Sequence, residues 1–171
     1  MNIDIFVSRP NNLDENQERT MQKIEGLLGA RGMRVRTIGK TDFPNVSPMK
    51  AVEQLMRQCS GAIILGFPQT KIQRGISKPN TESEKTIKDT LLPTPWNHIE
   101  ASMAFVLDLP MLVIRDKGLE GGVFDIGVTG YFIHTFQLEN QEWIEKPSFL
   151  QPFNDWYKDA IHKLESKAVL K

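Results

Sequence analysis

The sequence has one cysteine, no excess of either charge and no long apolar segment among its 171 residues. With Cys59 alone, the chain can form no internal disulfide and no metal site built from several cysteines. Lys and Arg total 21, as do Asp and Glu, so we expect no nucleic-acid partner and no attraction to an anionic membrane. No stretch approaches the roughly 20 apolar residues of a membrane span, and the N-terminus lacks the signal-peptide pattern. These absences favour a cytoplasmic protein.

Residues that bind metals or act as nucleophiles are also sparse. The three histidines, His98, His134 and His162, share no ligand spacing and have no cluster of acids beside them, so we expect no metal site. Cys59 lies between a helical pattern and a strand pattern, where a small buried hydrophobe is a better interpretation than a nucleophile.

Short apolar segments alternate with helical patterns along the chain. The segments that predict strands lie near 3–8, 33–38, 61–66, 110–115 and 131–138, and the later helices are expected near 95–108 and 153–166. This alternation predicts an α/β protein with a parallel sheet and helices on both faces. We expect one domain over 1–171, a flavodoxin-like three-layer sandwich with a five-stranded parallel sheet in the order 2-1-3-4-5.

One polar segment, 69–91, interrupts this alternation as an insertion between the third strand and the following helix. It holds five Lys or Arg and three acids, together with Gly75 and Pro79. Long loops in compact domains are usually functional or mobile. We therefore expect a mobile loop, which is either a solvated excursion or a lid over a ligand.

The segment LPTPWNHIEASMAF, residues 92–105, contains a single acid, Glu100. Thr94 is suited to cap a helix and Pro95 to be its first residue. Trp96 and Glu100 are then one turn apart on one face of the helix. The predicted core stripe consists of Ile99, Met103 and Val106. Glu100 is either a site residue or an exposed acid that interacts with the helix dipole.

Ligands of open α/β sheets bind outside the carboxyl ends of the strands. Ser8 and Arg9 follow the first predicted strand, Asp42 lies in the loop after the second, and Phe67 follows the third. Arg9 could bind a phosphate or be a surface cation, and Asp42 could line a pocket or form a turn. Trp96 could stack on a ring or pack in the core.

Several short motifs occur in a family-like order: IDIFVSRP, GMRVRTIGKTDFPNVSP, CSGAIILGFPQ, TPWNHIEASMA and LPMLVIRD. They resemble the boxes of the TIR domain and of TIR-like proteins related to nucleoside 2-deoxyribosyltransferases. The resemblance covers about 2–116 and is most specific at Thr94, Trp96, Glu100 and Ala104. The chain departs from the family in the Arg-Pro pair after Ser8, in Thr94 where Ser is common, and in its longer insertion.

The resemblance implies an enzyme that cleaves the nicotinamide–ribose bond of NAD and can yield an ADP-ribose-type signal, as in antiphage defence. NAD would be the substrate, with no separate cofactor. Glu100 would stabilise the oxocarbenium-like state. The substrate-binding residues would be Ser8, Arg9, Asp42, Phe67 and Trp96. The implied partners are a nucleotide small molecule and either further copies of the chain or an effector.

Two alternatives stay open at this point. In a nucleoside 2-deoxyribosyltransferase-like enzyme, Glu100 would attack the anomeric carbon. A non-catalytic TIR-like module would bind a nucleotide or act as an adaptor. If Glu100 is the catalytic acid, we expect Glu100→Gln to abolish activity and to leave the melting temperature nearly unchanged, because glutamine keeps the shape of the side chain.

Overall fold

The computed structural model describes residues 3–169. Its strands are β1 (Ile3–Ser8), β2 (Met33–Arg36), β3 (Gly61–Gly66), β4 (Thr70–Ser77), β5 (Lys85–Leu92), β6 (Met111–Asp116) and β7 (Ile133–Phe136). Its helices are α1 (Glu15–Gly29), α2 (Pro48–Gln58), α3 (Pro95–Val106) and α4 (Pro147–Val169). Five strands pair in parallel in one sheet, so the predicted α/β class and five-stranded parallel sheet are confirmed.

The strand order is β2-β1-β3-β6-β7, which differs from the predicted 2-1-3-4-5. The difference arises because β4 and β5 form a separate sheet that the apolar pattern does not predict. They lie between the third and fourth strands of the main sheet along the chain, which are β3 and β6. The predicted bounds also differ at the end of the chain, where β7 is shorter than 131–138 and α4 begins at Pro147 rather than 153.

The insertion is a β-hairpin, so the prediction of a loop over 69–91 is wrong. β4 and β5 pair antiparallel from Thr70 opposite Leu92 to Ser77 opposite Lys85. Apolar residues are sparse in both strands, and this is why alternation was not visible in the sequence. Two-stranded hairpins are marginally stable alone. This one is anchored at its base, where Leu91 forms a bridge with Leu119 of the main body.

Helices cover both faces of the main sheet. Alternate residues of β1 and β3, such as Ile5 and Ile63, face a core that α1 and α4 complete. Their neighbours Phe6 and Ile64 face a second core, which α2 and α3 complete. This explains why the central strands are apolar throughout, as strands buried on both faces must be.

Helix α3 faces the sheet with small residues rather than with the large apolar residues that were predicted. Its buried residues are Asn97, Ala101 and Ala104. The predicted core stripe is therefore wrong at Val106, which is 78% exposed, whereas Met103 is half-buried and packs against the second core. Small side chains let the helix lie close to β1 and β3, and this close approach brings Glu100, next to Ala101, to the carboxyl end of the sheet.

Gly66, the last residue of β3, packs closely against residues that follow β6. A Cβ atom there would lie 2.6 Å from Leu119 Cδ2 and 2.7 Å from Phe124 Cε1. We expect Gly66→Ala to lower the free energy of unfolding in urea by about 1–3 kcal/mol, because buried neighbours would have to shift. The matched control is Gly26→Ala on α1, where a Cβ meets nothing within 4 Å. It should raise stability by up to about 1 kcal/mol. Equal effects of the two substitutions would contradict this packing.

Candidate functional site

A pocket of about 240 Å³ lies where the carboxyl ends of β1 and β2 meet the N-terminus of α3. Arg9 lines it from the segment after β1, Thr37 from the end of β2, and Trp96 and Glu100 from α3. Helix α3 begins as predicted, with Thr94 as its cap: the Thr94 hydroxyl oxygen accepts a hydrogen bond from the Asn97 backbone N–H at 3.2 Å. The pocket thus occupies the edge at which open α/β sheets bind ligands.

A chain of hydrogen bonds leads from the start of α3 to the carboxylate of Glu100. The Thr94 hydroxyl donates to Asn97 Oδ1 at 3.0 Å, and Asn97 Nδ2 donates to Ser8 Oγ at 2.9 Å. The Ser8 hydroxyl donates to Glu100 Oε2 at 2.5 Å. Ser8 and Asn97 are both fully buried. The carboxylate is therefore held in place by neutral groups that water does not reach.

Burial raises the pKa of Glu100 to about 7, and the hydrogen bond from Ser8 acts in the opposite direction. Arg9 is the cation that lines the same pocket, but its Nη2 lies 3.3 Å from Glu18 Oε1 and its Nε donates to the Pro10 carbonyl. No ion pair with Glu100 occurs among residues 3–169. The carboxyl can consequently exchange a proton near neutral pH.

Three of the predicted site residues share the pocket with Glu100 or contact it. Ser8 touches the carboxylate, Trp96 lines the pocket with 42% of its surface exposed, and Arg9 lines it with a side chain that is only 6% exposed. The exposed indole excludes the alternative in which Trp96 packs in the core. It leaves a flat aromatic surface beside the acid, on which a ring can stack.

Two predicted substrate-binding residues lie elsewhere. Phe67 is fully buried in the core between the sheet and α1 and α4, since a large apolar side chain is more stable there than at an open edge. Asp42 binds Arg36 at 2.6 Å and lines a separate hollow beside Phe43. The hydrogen bond from Arg36 lowers the pKa of Asp42 and keeps its carboxylate bound to Arg36.

Asn97 was not predicted as a site residue. Its signal in the sequence is a polar residue on the same helical face as Ala101 and Ala104, which are small enough for close packing. A polar residue on such a face must be hydrogen-bonded when it is buried. That reasoning requires the buried face of α3 to be known, whereas the spacing of the large apolar residues indicates a different face.

A larger groove of about 540 Å³ lies between α2 and α3. It is lined mainly by apolar side chains such as Met49, Ile99 and Met103, and its charged residues, Glu53 and Arg57, pair with each other at 2.9 Å. It contains no buried network of polar groups like that at Glu100. We therefore place the candidate site at the smaller pocket.

Neither a metal centre nor a membrane span is found in the described part of the chain. Within residues 3–169, no three or more His, Cys, Asp or Glu side chains are grouped so that they could hold a metal ion. No helix in that range combines the length and the apolar character needed to cross a membrane.

Comparison with known proteins yields no relative: no protein-family model matches the chain, and no curated protein matches it.

The burial of Glu100 makes the effect of Glu100→Gln on stability depend on pH. The pKa of Glu100 in the folded protein, about 7, is above its ordinary value of 4.5. The folded protein thus keeps a proton that the unfolded chain releases between these pH values, and ionisation destabilises the fold as the pH rises. Because glutamine carries no charge, Glu100→Gln avoids this loss of stability. We expect its free energy of unfolding to equal that of the wild type below pH 4.5 and to exceed it by up to about 3 kcal/mol above pH 7.

Urea unfolding at a series of pH values measures this difference. The matched control is Glu25→Gln, an exposed acid on α1, which should show no such trend. A Glu100→Gln variant whose stability parallels that of the wild type at every pH would mean that the carboxylate is not desolvated.

Proposed function

We propose that this protein cleaves the N-glycosidic bond of a ribosylated base, with NAD as the candidate substrate and Glu100 as the catalytic carboxylate. The observation that carries the proposal is the half-buried Glu100 carboxylate, held by Ser8 and facing a pocket at the carboxyl edge of the sheet. A parallel α/β sheet with this acid on the helix after the insertion is compatible with a flavodoxin-like, TIR-like domain, and the motifs around Trp96 and Glu100 support the same assignment.

In the proposed reaction the bond between C1′ of the ribose and the nicotinamide nitrogen breaks, and its electron pair leaves with the nicotinamide. The sugar becomes an oxocarbenium-like cation, to which the ionised Glu100 is attracted far more strongly than to the neutral sugar. Stabilisation that is greater in the transition state than in the ground state accelerates the reaction. Water then adds to C1′ and loses a proton. Because nicotinamide leaves as a neutral base, the reaction needs no strong general acid.

The size of the pocket indicates which part of the substrate it takes. At about 240 Å³ it is smaller than the roughly 300–1,000 Å³ of sites for drug-sized ligands. It would therefore hold the nicotinamide riboside end of NAD, with the half-exposed Trp96 stacking on a ring at its mouth.

The second candidate is a nucleoside 2-deoxyribosyltransferase-like activity. Glu100 would attack C1′ as the first base leaves with the electron pair of the N-glycosidic bond, and a second base would then displace Glu100 from the glycosyl-enzyme. The small pocket and the engagement of Arg9 by Glu18 favour this activity, since a nucleoside fits in less space and needs no cation for phosphates. The first candidate has the additional support of the TIR-like motifs, so we place it first.

Separation of bases from nucleotides by liquid chromatography tests both candidates. With NAD, kcat/KM should rise about tenfold per pH unit below pH 7 and level off above it, because the ionised form of Glu100 is required. Glu100→Gln should lose several orders of magnitude in kcat, at about tenfold per 1.4 kcal/mol of lost stabilisation, whereas Glu25→Gln should keep wild-type rates.

Release of free base from deoxynucleosides, with none from NAD, would replace the first candidate by the second. A Glu100→Gln variant as active as wild type would refute both, and so would wild-type protein that releases no base from either substrate and is thus a binding module.

A further inference from the structure

We propose that Asn97 is a positioning residue: its amide sets the direction of the Ser8 hydroxyl and thereby leaves Glu100 Oε1 as the carboxylate oxygen that meets the pocket. This role rests on the proposed function of Glu100, since it explains how that acid is presented to a substrate. Asn97 itself is fully buried and reaches Glu100 only through Ser8.

The orientation of the Asn97 amide follows from its neighbours. Nδ2 lies 3.2 Å from the carbonyl oxygen of Leu65, which can only accept a hydrogen bond. The reverse orientation would place Oδ1 against that carbonyl and leave two acceptors facing each other. The amide nitrogen must therefore point toward Leu65 and Ser8, and Oδ1 accepts from the Thr94 hydroxyl.

This orientation decides what the Ser8 hydroxyl can do. The two hydrogens of Nδ2 match two acceptors, Leu65 O and Ser8 Oγ. Since a donor faces Ser8 Oγ on that side, the single hydrogen of Ser8 has to point toward Glu100 Oε2. Ser8 is thereby a fixed donor rather than a hydroxyl that can turn either way.

A fixed donor at Oε2 makes the two carboxylate oxygens of Glu100 unequal. A proton on Oε2 would face the hydrogen of Ser8, so a proton bound to Glu100 is held on Oε1. Within residues 3–169, Oε1 has no hydrogen-bond partner of its own. The carboxyl accordingly accepts a hydrogen bond from a sugar hydroxyl when ionised, or donates one when protonated, at the same atom.

The other elements around the pocket bring no charge that could replace Ser8. Arg9, after β1, pairs with Glu18 of α1. The end of β2 contributes Thr37, and α2 contributes Pro48 and Val52, all uncharged. The hydrogen bond from Ser8 is thus the interaction with a side chain that favours the ionised form of Glu100, and Asn97 controls it.

Site-specific titration of the Glu100 carboxyl by 13C NMR tests this role without any need for turnover. In Asn97→Ala the Ser8 hydroxyl is free to turn to the vacated Leu65 carbonyl, so the pKa of Glu100 should rise by up to about one unit. Ser8→Ala should raise it similarly. In the double variant the pKa should equal that of Ser8→Ala alone, because Asn97 acts through Ser8.

The matched control is Asn45→Ala, an exposed asparagine with no hydrogen bond to the described residues, which should leave the titration unchanged. If Asn97→Ala unfolds the protein, Asn97→Leu fills the same space without donors and should give the same shift. An unchanged pKa in a folded Asn97 variant, or a rise that persists in the Ser8→Ala background, would overturn the inference. Absence of base release in the wild type would refute the proposed function alone and leave the titration interpretable.

Discussion

The site depends on the burial of one carboxylate without a cation to neutralise it. Glu100 lies at the carboxyl edge of the sheet, where burial raises its pKa to about 7 and the nearest basic residue of the pocket is bound to Glu18. Desolvation of this kind is costly, and proteins tolerate it where a charge is used. The buried hydrogen bonds of Ser8 and Asn97 offset part of that cost, and they also hold the carboxyl in one orientation.

The surrounding fold removes most of the Glu100 side chain from water and still lets it line an open pocket. The small residues Ala101 and Ala104 let α3 lie close to the sheet, which brings Ser8 at the end of β1 within hydrogen-bond distance of Glu100. The adjacent pocket remains open to a ligand, and the exposed Trp96 indole lies beside it. Stability is thereby lowered at the place where electrostatic attraction to a developing cation would be strongest, a trade-off expected of catalytic sites.

The class of the fold and the start of α3, the helix that carries Glu100, could be predicted from the sequence because their signals are local. The apolar segment of β3 is bounded by glycines, and the adjacent residues Thr94 and Pro95 mark the start of α3. The hairpin was missed because its strands carry few apolar residues. Phe67 and Asp42 were misplaced because a strand end does not reveal whether a side chain turns to the core or to Arg36. The contact between Ser8 and Glu100 joins residues 92 positions apart, and no local pattern predicts such a pair.

The most direct test of the central claim is the place at which a substrate binds. Titration of isotope-labelled Glu100→Gln protein with NAD, followed by 1H–15N NMR, separates the Glu100 pocket from the larger groove between α2 and α3. We predict saturable shifts of the Trp96 indole N–H and the Thr37 amide, with the Met103 and Val106 amides unchanged. Shifts confined to Met103 and Val106, or none at saturating NAD, would contradict the assignment of function to the pocket at Glu100.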